Sequence, residues 1–584
     1  MVVTRWIGPA GLTAIQLLAG FPAHGADPAD KEGIMSRNSI AEPDDPGRVS
    51  ATDWAGAGRL EGAVGSVDVR YSRSEVPRTG GATAWSASAW RGERVHGQCV
   101  LWTAPGAKRV SVMPSDLVGD SGGVIPAASV RPFFVRYVLG DGKLWADPLE
   151  AAREMDLPPR STRPVWVSVD VPPDAVPGAY RGSIGVLSGG ERLLTLGVAI
   201  EVLPAVLPLP ADWGFYLDLW QNPWAVARYH GVEPWSKGFW EKAGPHLRML
   251  AEAGQKCLTT TVVDRAWGTQ TYDPYGSMVE WTRKRGGKWA FDYAVFDRYV
   301  AFAENFGYAN WINCYSLVPW GGIRFRDEWT GKYDTIELNL DSPLYRAAAG
   351  AFLKDFSGHL KKKGWFKRTR IAMDERPPET ILKVLALIEE FAPGMKVALA
   401  GGDHPGLYDS VDDLCFYVSH RIKPEVIERR RRRRQPTTFY VCCGPVRPNT
   451  FTWSPPAESA WLGWFAAARG YGGFLRWAYD SWTEDPLVDT THNRKDWPAG
   501  DCFLVYPGPR SSIRFERLRE GIQDHEKIRI IREKLGKARD RRGLNRLEAA
   551  LARFDYPGCG DDRALTENLT RGKSLLEALS RTAF

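Results

Sequence analysis

The 584-residue chain carries 76 Lys+Arg against 69 Asp+Glu, a net charge of +7, with 44% hydrophobic and 25% charged residues. That balance excludes an intrinsically disordered chain, and so small a basic excess over this length argues against a nucleic-acid partner. At about 150 residues per domain the chain should hold more than one. It is rich in aromatics, with 25 Trp, 20 Tyr and 23 Phe. Indole faces suit sugar rings as well as large cores, and composition does not choose between the two.

Residues 1–26 read as an export signal. Arg5 supplies positive charge, GLTAIQLLAGF (residues 11–21) a short apolar stretch, and Ala23-His24-Gly25 a cleavage region near Ala26. No cysteine follows to take a lipid, and no other apolar run reaches the ~18 residues of a transmembrane helix. The mature chain is therefore expected to be exported, periplasmic or secreted, with no stable membrane insertion. The eight cysteines lack CxxC spacing and the nine histidines form no HxH or HxxxH pair, so no metal and no other cofactor is expected. Several cysteines lie in apolar strand-like runs and read as buried free thiols. Cys442-Cys443 reads as a vicinal pair in a strand, its side chains on opposite faces.

Residues 27–60, rich in Ala, Gly, Asp and Pro, read as a leader or linker. Residues 61–208 show short alternating runs between Gly/Pro turns, as in Val165-Trp166-Val167-Ser168-Val169-Asp170, and predict a β-sandwich. Pro204 and Pro210 punctuate its exit, which should not join a central strand. The grammar then changes. Strand-like runs at residues 214–220, 257–263, 310–317, 369–373, 396–400, 414–419, 437–442 and 473–479 alternate with helices. The helices are read at residues 239–253, 345–363 and 379–391, and from the spacing of Phe291, Val295, Tyr299 and Phe302. Eight such units predict a (β/α)8 barrel over residues 209–535. Residues 511–535 are helical, and Leu544, Leu547, Leu551 and Phe554 mark another helix in a C-terminal helical extension, residues 536–584. The predicted fold class is α/β: a C-terminal TIM-type barrel preceded by an N-terminal β-sandwich.

The chemistry of such a barrel sits at the C-terminal ends of its strands. The fourth ends in Met373-Asp374-Glu375-Arg376-Pro377-Pro378. A surface reading makes Asp374 a helix cap and pairs Glu375 with Arg376, but the position at a strand end favours catalysis. Consecutive strand residues face opposite sides, so both acids reach one pocket only if the strand bends, which the prolines favour. A charged Asp374 is expected to raise the pKa of Glu375 and make it a general acid. Neighbouring residues leave little room for the ~5–5.5 Å retaining or ~6.5–9.5 Å inverting separation of two carboxylates across a sugar. One solution is a substrate that supplies its own nucleophile. A 2-acetamido carbonyl oxygen attacks C1, Asp374 orients the amide N–H, and Glu375 protonates the leaving oxygen and then deprotonates water, giving retention.

The segments INCYSLVPW (residues 312–320), KKGWFKRTRIAMDERP (362–377), VCCGPVRPNTFTWSPPAES (441–459), GFLRWAYDSW (473–482) and WPAGDCFLVYPGPRSSIRFERLREGIQDHEKIRI (497–530) resemble glycoside hydrolase family 123, the β-N-acetylgalactosaminidases. The resemblance runs over roughly residues 213–535. It implies an N-terminal β-sandwich, a (β/α)8 catalytic barrel, substrate-assisted catalysis by Asp374 and Glu375, and a glycan or glycoconjugate substrate with a non-reducing-end β-linked GalNAc. Candidate substrate-binding residues flank the strand ends: Asn313, Tyr315 and Trp320 at the third, Asn449 after the seventh, and Trp477, Tyr479, Asp480 and Trp482 at the eighth. The alternative for each aromatic is the barrel core. The family resemblance implies Asn where Asp480 stands, which leaves the exact sugar open. Asp403 and His404, after the fifth strand, line the mouth or cap a loop. Six consecutive arginines, residues 429–434, end a predicted helix and read as a solvated terminus rather than a nucleic-acid patch. Two other functions remain open: a glycosidase of other specificity using Glu375 with a distant carboxylate such as Asp480, and a non-catalytic glycan-binding protein.

Overall fold

The computed structural model describes residues 41–47 and 54–584. The export signal expected over residues 1–26 and most of the leader expected over residues 27–60 lie outside the described residues. The parts of that leader that are described are docked. Glu42 accepts from both terminal nitrogens of Arg163, at 2.6 and 2.8 Å, and from the Tyr137 backbone N–H. Trp54 is buried, with its indole N–H on the Ser74 carbonyl.

Two sheets face each other in the N-terminal region. One has the order Glu61–Gly65, Arg94–Thr103, Ser161–Asp170, Val130–Gly140, Lys143–Glu150. The other has the order Ala84–Arg91, Glu191–Val206, Gly178–Ser188, Ala107–Pro114, Met155–Leu157. Val165, Val167 and Val169 point into the core between them. The opposite face of the same strand is buried too: Trp166 packs with Tyr137, Leu149 and Ile513 against the C-terminal part of the chain. One sequence expectation is corrected here. Pro204 lies within the strand Glu191–Val206, which has neighbours on both sides. The register against Ala84–Arg91 slips between Leu203 and Val206, and this irregularity accommodates a residue with no N–H to donate.

Beyond it, eight parallel strands form a barrel: β1 (Tyr216–Leu219), β2 (Cys257–Thr261), β3 (Trp311–Tyr315), β4 (Thr369–Asp374), β5 (Lys396–Gly401), β6 (Asp413–Tyr417), β7 (Thr437–Tyr440) and β8 (Gly473–Arg476). Hydrogen-bonded pairing runs from β2 through β3, β4, β5, β6, β7 and β8 to β1. The seam between β1 and β2 holds a single parallel bridge, Leu217 with Gln255, and side-chain amides fill the rest. Gln255 Oε1 accepts from Leu219 N at 3.0 Å, and Gln221 Oε1 accepts from Thr259 N at 3.0 Å.

Helices α1 (Pro223–His230) and α2 (Lys237–Ala251) follow β1, and α3 (Ala294–Glu304), α4 (Pro343–Lys363) and α5 (Pro378–Phe391) follow β2, β3 and β4. Helices α6 (Pro424–Arg432), α7 (Pro456–Arg469) and α8 (Ile513–Lys537) follow β6, β7 and β8. The alternation breaks once, since β5 and β6 are joined only by a 3-10 turn, Pro405–Leu407. Phe291 belongs to a strand, Trp289–Asp292, and not to α3. With Glu280–Arg283, Ile323–Asp327 and Tyr333–Ile336 it forms a four-stranded sheet built from the segments that follow β2 and β3. Two further helices, α9 (Arg541–Leu551) and α10 (Asp562–Ala583), close the chain. Among the described residues no helix is long and apolar enough to cross a membrane.

The arginine run ends α6, but its terminus is not simply solvated. Arg430 is buried and donates to the carbonyls of Val411, Asp412 and Pro436 and to the Thr437 hydroxyl, tying the starts of β6 and β7 together. Arg429 and Arg433 pair with Asp409, and Arg431 and Arg432 with Glu428.

Candidate active site

β4 is buried along its whole length and delivers Asp374 and Glu375 to the mouth of the barrel. Its register with β5 ends at Asp374 opposite Ala400, whose carbonyl then accepts from Glu375 N at 2.8 Å. At Glu375 the backbone turns to a φ of +21°, a conformation costly for a non-glycine residue and of a kind that gathers at functional sites. Gly401, at the end of β5, makes room for the turn: a Cβ there would meet the Glu375 backbone at 3.3 Å.

The turn breaks the strand alternation, and each carboxylate finds its own partner. Trp320, on the segment leaving β3, donates its indole N–H to Asp374 Oδ2 at 2.9 Å. Tyr440, the last residue of β7, donates its hydroxyl to Glu375 Oε1 at 2.7 Å. β7 stands three strands away from β4 in the barrel order, so Glu375 reaches across the mouth while Asp374 leans toward β3. The Arg376 guanidinium lies 4.1 Å over the Trp320 ring, and its Nε and Nη2 are buried without an acceptor among the described residues. Burial pushes the Asp374 carboxyl above the usual Asp range; the Arg376 charge and the Trp320 N–H oppose the rise, and Glu375 adds to it.

Beside the acids is an aromatic wall. Trp220, which follows β1, stacks on Trp267 at 4.9 Å, and both meet Tyr315 of β3, at 4.6 and 4.7 Å. The wall is tied to the acids through the chain, because Trp320 N donates to the Ala266 carbonyl next to Trp267.

The family model for the glycoside hydrolase 123 catalytic domain matches residues 220–531, more than half of the chain. The chain belongs to glycoside hydrolase family 123. The family's N-terminal domain model matches residues 64–188. Among solved structures, the chain is similar to a family 123 glycoside hydrolase from Clostridium perfringens described for glycolipid glycan hydrolysis. The TM-score is 0.83 and the identity 26%, over 90% of this chain and 98% of that one. A Bacteroides ovatus xyloglucanase of family GH5 aligns over 75% of this chain and 98% of that one, at 10% identity and a TM-score of 0.28. Among curated proteins, none matches the chain.

This glycoside hydrolase distributes the other candidate residues unevenly. Trp320 contacts Asp374 directly and is 45% exposed. Tyr315 is part of the aromatic wall and, like Trp220 and Trp267, is buried in the barrel core. Trp477 is partly buried above β8, its N–H on Asp501 Oδ2 at 3.2 Å and its ring edge-on to Trp497. Asn313 lies within the barrel, donating to Asp218 Oδ2 at 3.1 Å. Asp480 is buried and accepts from Asn222 N at 2.7 Å, and burial pushes its carboxyl up to about 7.

Three further candidates are fully buried and bonded within the protein. Asn449 is fully buried and pins its own loop, donating to the Cys442 and Pro445 carbonyls and accepting from Arg476 Nη1. Tyr479 is fully buried, with its hydroxyl on the His246 carbonyl. Trp482 is fully buried, its N–H on the Val505 carbonyl and its ring against Tyr229 and His246. Asp403 accepts from the Tyr408 hydroxyl in its own loop. Sequence reasoning missed Tyr440, Arg376, Trp220 and Trp267. Tyr440 carried a usable signal, as the last aromatic of a predicted barrel strand.

Proposed function

We propose that this glycoside hydrolase releases non-reducing-end β-linked N-acetylgalactosamine with retention, by substrate-assisted catalysis, and that it acts after export on glycans or glycoconjugates. The observation that carries the reading is the division of two adjacent acids between separate partners, Asp374 with Trp320 and Glu375 with Tyr440. The acetamido carbonyl oxygen bonds to C1 as the glycosidic C–O bond breaks, and Glu375 gives its proton to the leaving oxygen. Asp374, as the carboxylate, accepts the amide N–H and stabilises the positive charge that grows on the oxazolinium ring. Glu375 then takes a proton from water as the water oxygen bonds to C1 and the ring opens. The unpaired donors of Arg376 suit sugar oxygens, and the exposed indole of Trp320 suits a ring face. The Clostridium perfringens relative's glycolipid glycan hydrolysis supports a glycoconjugate substrate. Export rests on the pattern of residues 1–26.

A distant second carboxylate is less well supported, because Asp480 is buried and bonded to the Asn222 backbone. The test is Asp374→Asn on an aryl β-GalNAc substrate with a GalNAc-thiazoline inhibitor. Turnover should fall by about 10²-fold or more, the size of one lost transition-state partner, and the thiazoline should inhibit the wild type strongly. A wild type indifferent to the thiazoline contradicts the mechanism.

A further inference from the structure

All eight cysteines are free, and six of them are buried. The two that are not, Cys442 and Cys443, follow Tyr440 at the end of β7. Side chains of consecutive residues in a strand point apart. The chain here has left the strand and turned, with Cys442 N donating to the Gly444 carbonyl at 2.9 Å, and the two Sγ atoms lie 3.9 Å apart on one side of the backbone. This corrects the expected opposite-face arrangement. The turn is held from outside: Asn449 Nδ2 donates to the Cys442 carbonyl at 2.9 Å, and a Cβ on Gly444 would come within 3.0 Å of the Tyr417 hydroxyl.

We propose that Cys442 and Cys443 are a redox-addressable dithiol at the rim of the active site, which closes to a vicinal disulfide by exchange with a small-molecule disulfide of the glutathione type. The roles within the pair differ. The contact with the Cys442 thiol holds Cys443 below the ordinary thiol range, helped by Arg476 and opposed by burial, Asp501 and Glu375. Cys442 is pushed up by the same contact. Cys443 therefore attacks first, as the thiolate. It bonds to one sulfur of the oxidised glutathione and releases one glutathione thiol. Cys442 gives up its proton, attacks the Cys443 sulfur of the mixed disulfide, and releases the second. The protein loses two hydrogens and one external disulfide becomes two thiols.

Ring closure brings the sulfurs from 3.9 Å to about 2.05 Å, and that movement falls on the segment that carries Tyr440, whose hydroxyl holds Glu375. Oxidation is thereby coupled to the acid that the proposed mechanism uses, and only this coupling rests on the functional reading above.

The experiment treats the full-length protein with oxidised glutathione. Intact mass should fall by two hydrogens, mapped to one peptide containing both cysteines, and Cys442→Ser should instead stop at a single glutathione adduct on Cys443. Phenylarsine oxide should bind once per reduced chain and not to the oxidised one. Turnover of an aryl β-GalNAc should fall about tenfold on oxidation, the size of one lost hydrogen bond, and recover with dithiothreitol. Two stable glutathione adducts on the wild-type pair, or no mass change and no arsenical binding, overturns the dithiol. A disulfide that forms with no change in turnover overturns the link to Glu375. A reduced protein inactive on aryl β-GalNAc counts against the functional reading, and the mass result still decides this one.

Discussion

Glu375 is the residue on which the proposed chemistry turns, and its hydrogen bond from Tyr440 is the contact most open to test. Tyr440→Phe removes one donor without changing ring volume. Turnover should fall about tenfold with little change in KM, because the bond orients the acid and does not bind the sugar. Asp374 makes a second, opposite kind of prediction. Its folded pKa lies above its unfolded value, so its contribution to stability is present below the unfolded pKa and is lost as pH rises through the folded one. Burial therefore disfavours its ionised form in the folded protein. Asp374→Asn should therefore melt no lower than wild type at pH 7 in thermal denaturation while losing turnover. The placement of the two acids at the barrel mouth was legible in Met373-Asp374-Glu375-Arg376-Pro377, because they close the apolar run of a predicted barrel strand. The burial of Asp374 and the positive φ at Glu375 were not, because both depend on the Trp320 segment and on Gly401, far away in sequence.

At the scale of elements, two close approaches carry the architecture around the site. Gly401 sits beneath the Glu375 backbone, and Gly401→Ala should lower kcat in a protein whose circular dichroism is unchanged. In the crossing of α7 and α8, a Cβ on Gly521 would lie 2.4 Å from the Ala460 carbonyl oxygen, and one on Gly463 would lie 2.0 Å from the Gly521 carbonyl oxygen. Backbone cannot yield as a flexible side chain does, so Gly521→Ala should cost about 3 kcal/mol or more, read as a lowered Tm. The eight barrel strands were readable because each is a short apolar run and helical periods separate all but β5 and β6. The four-stranded sheet was not: Glu280–Arg283 and Ile323–Asp327 are short, charged and partly exposed, and their pattern is that of loops. Tyr479 and Trp482 show the other limit. An aromatic near a strand end looks the same in sequence whether it faces sugar or, as here, His246 and Val505.

Across the whole molecule, α8 joins sandwich to barrel. Its sequence carries charged residues on every side, yet Arg514, Glu516, Arg517, Gln523, Asp524 and Lys527 are all buried. Three of them reach into the N-terminal region: Arg514 pairs with Asp147, Arg517 with Asp68, and Lys527 with Glu93. Asp147 is the hub, fully buried and also bonded to Arg70 and to the Tyr506 hydroxyl. Asp147→Ala leaves two buried guanidinium groups without their carboxylate. It should cost about 3–5 kcal/mol, seen as a lower denaturation midpoint at unchanged activity per folded molecule. The helix itself was legible; that its charges serve as an inter-region core was not, since no periodicity records what lies opposite.

The central claim is that the sugar's own acetamido group displaces the leaving group. Hydrolysis of aryl β-GalNAc and aryl β-galactoside, compared side by side under identical conditions, tests it most directly. The account predicts measurable turnover of the first and none of the second. Equal rates on the two would contradict it.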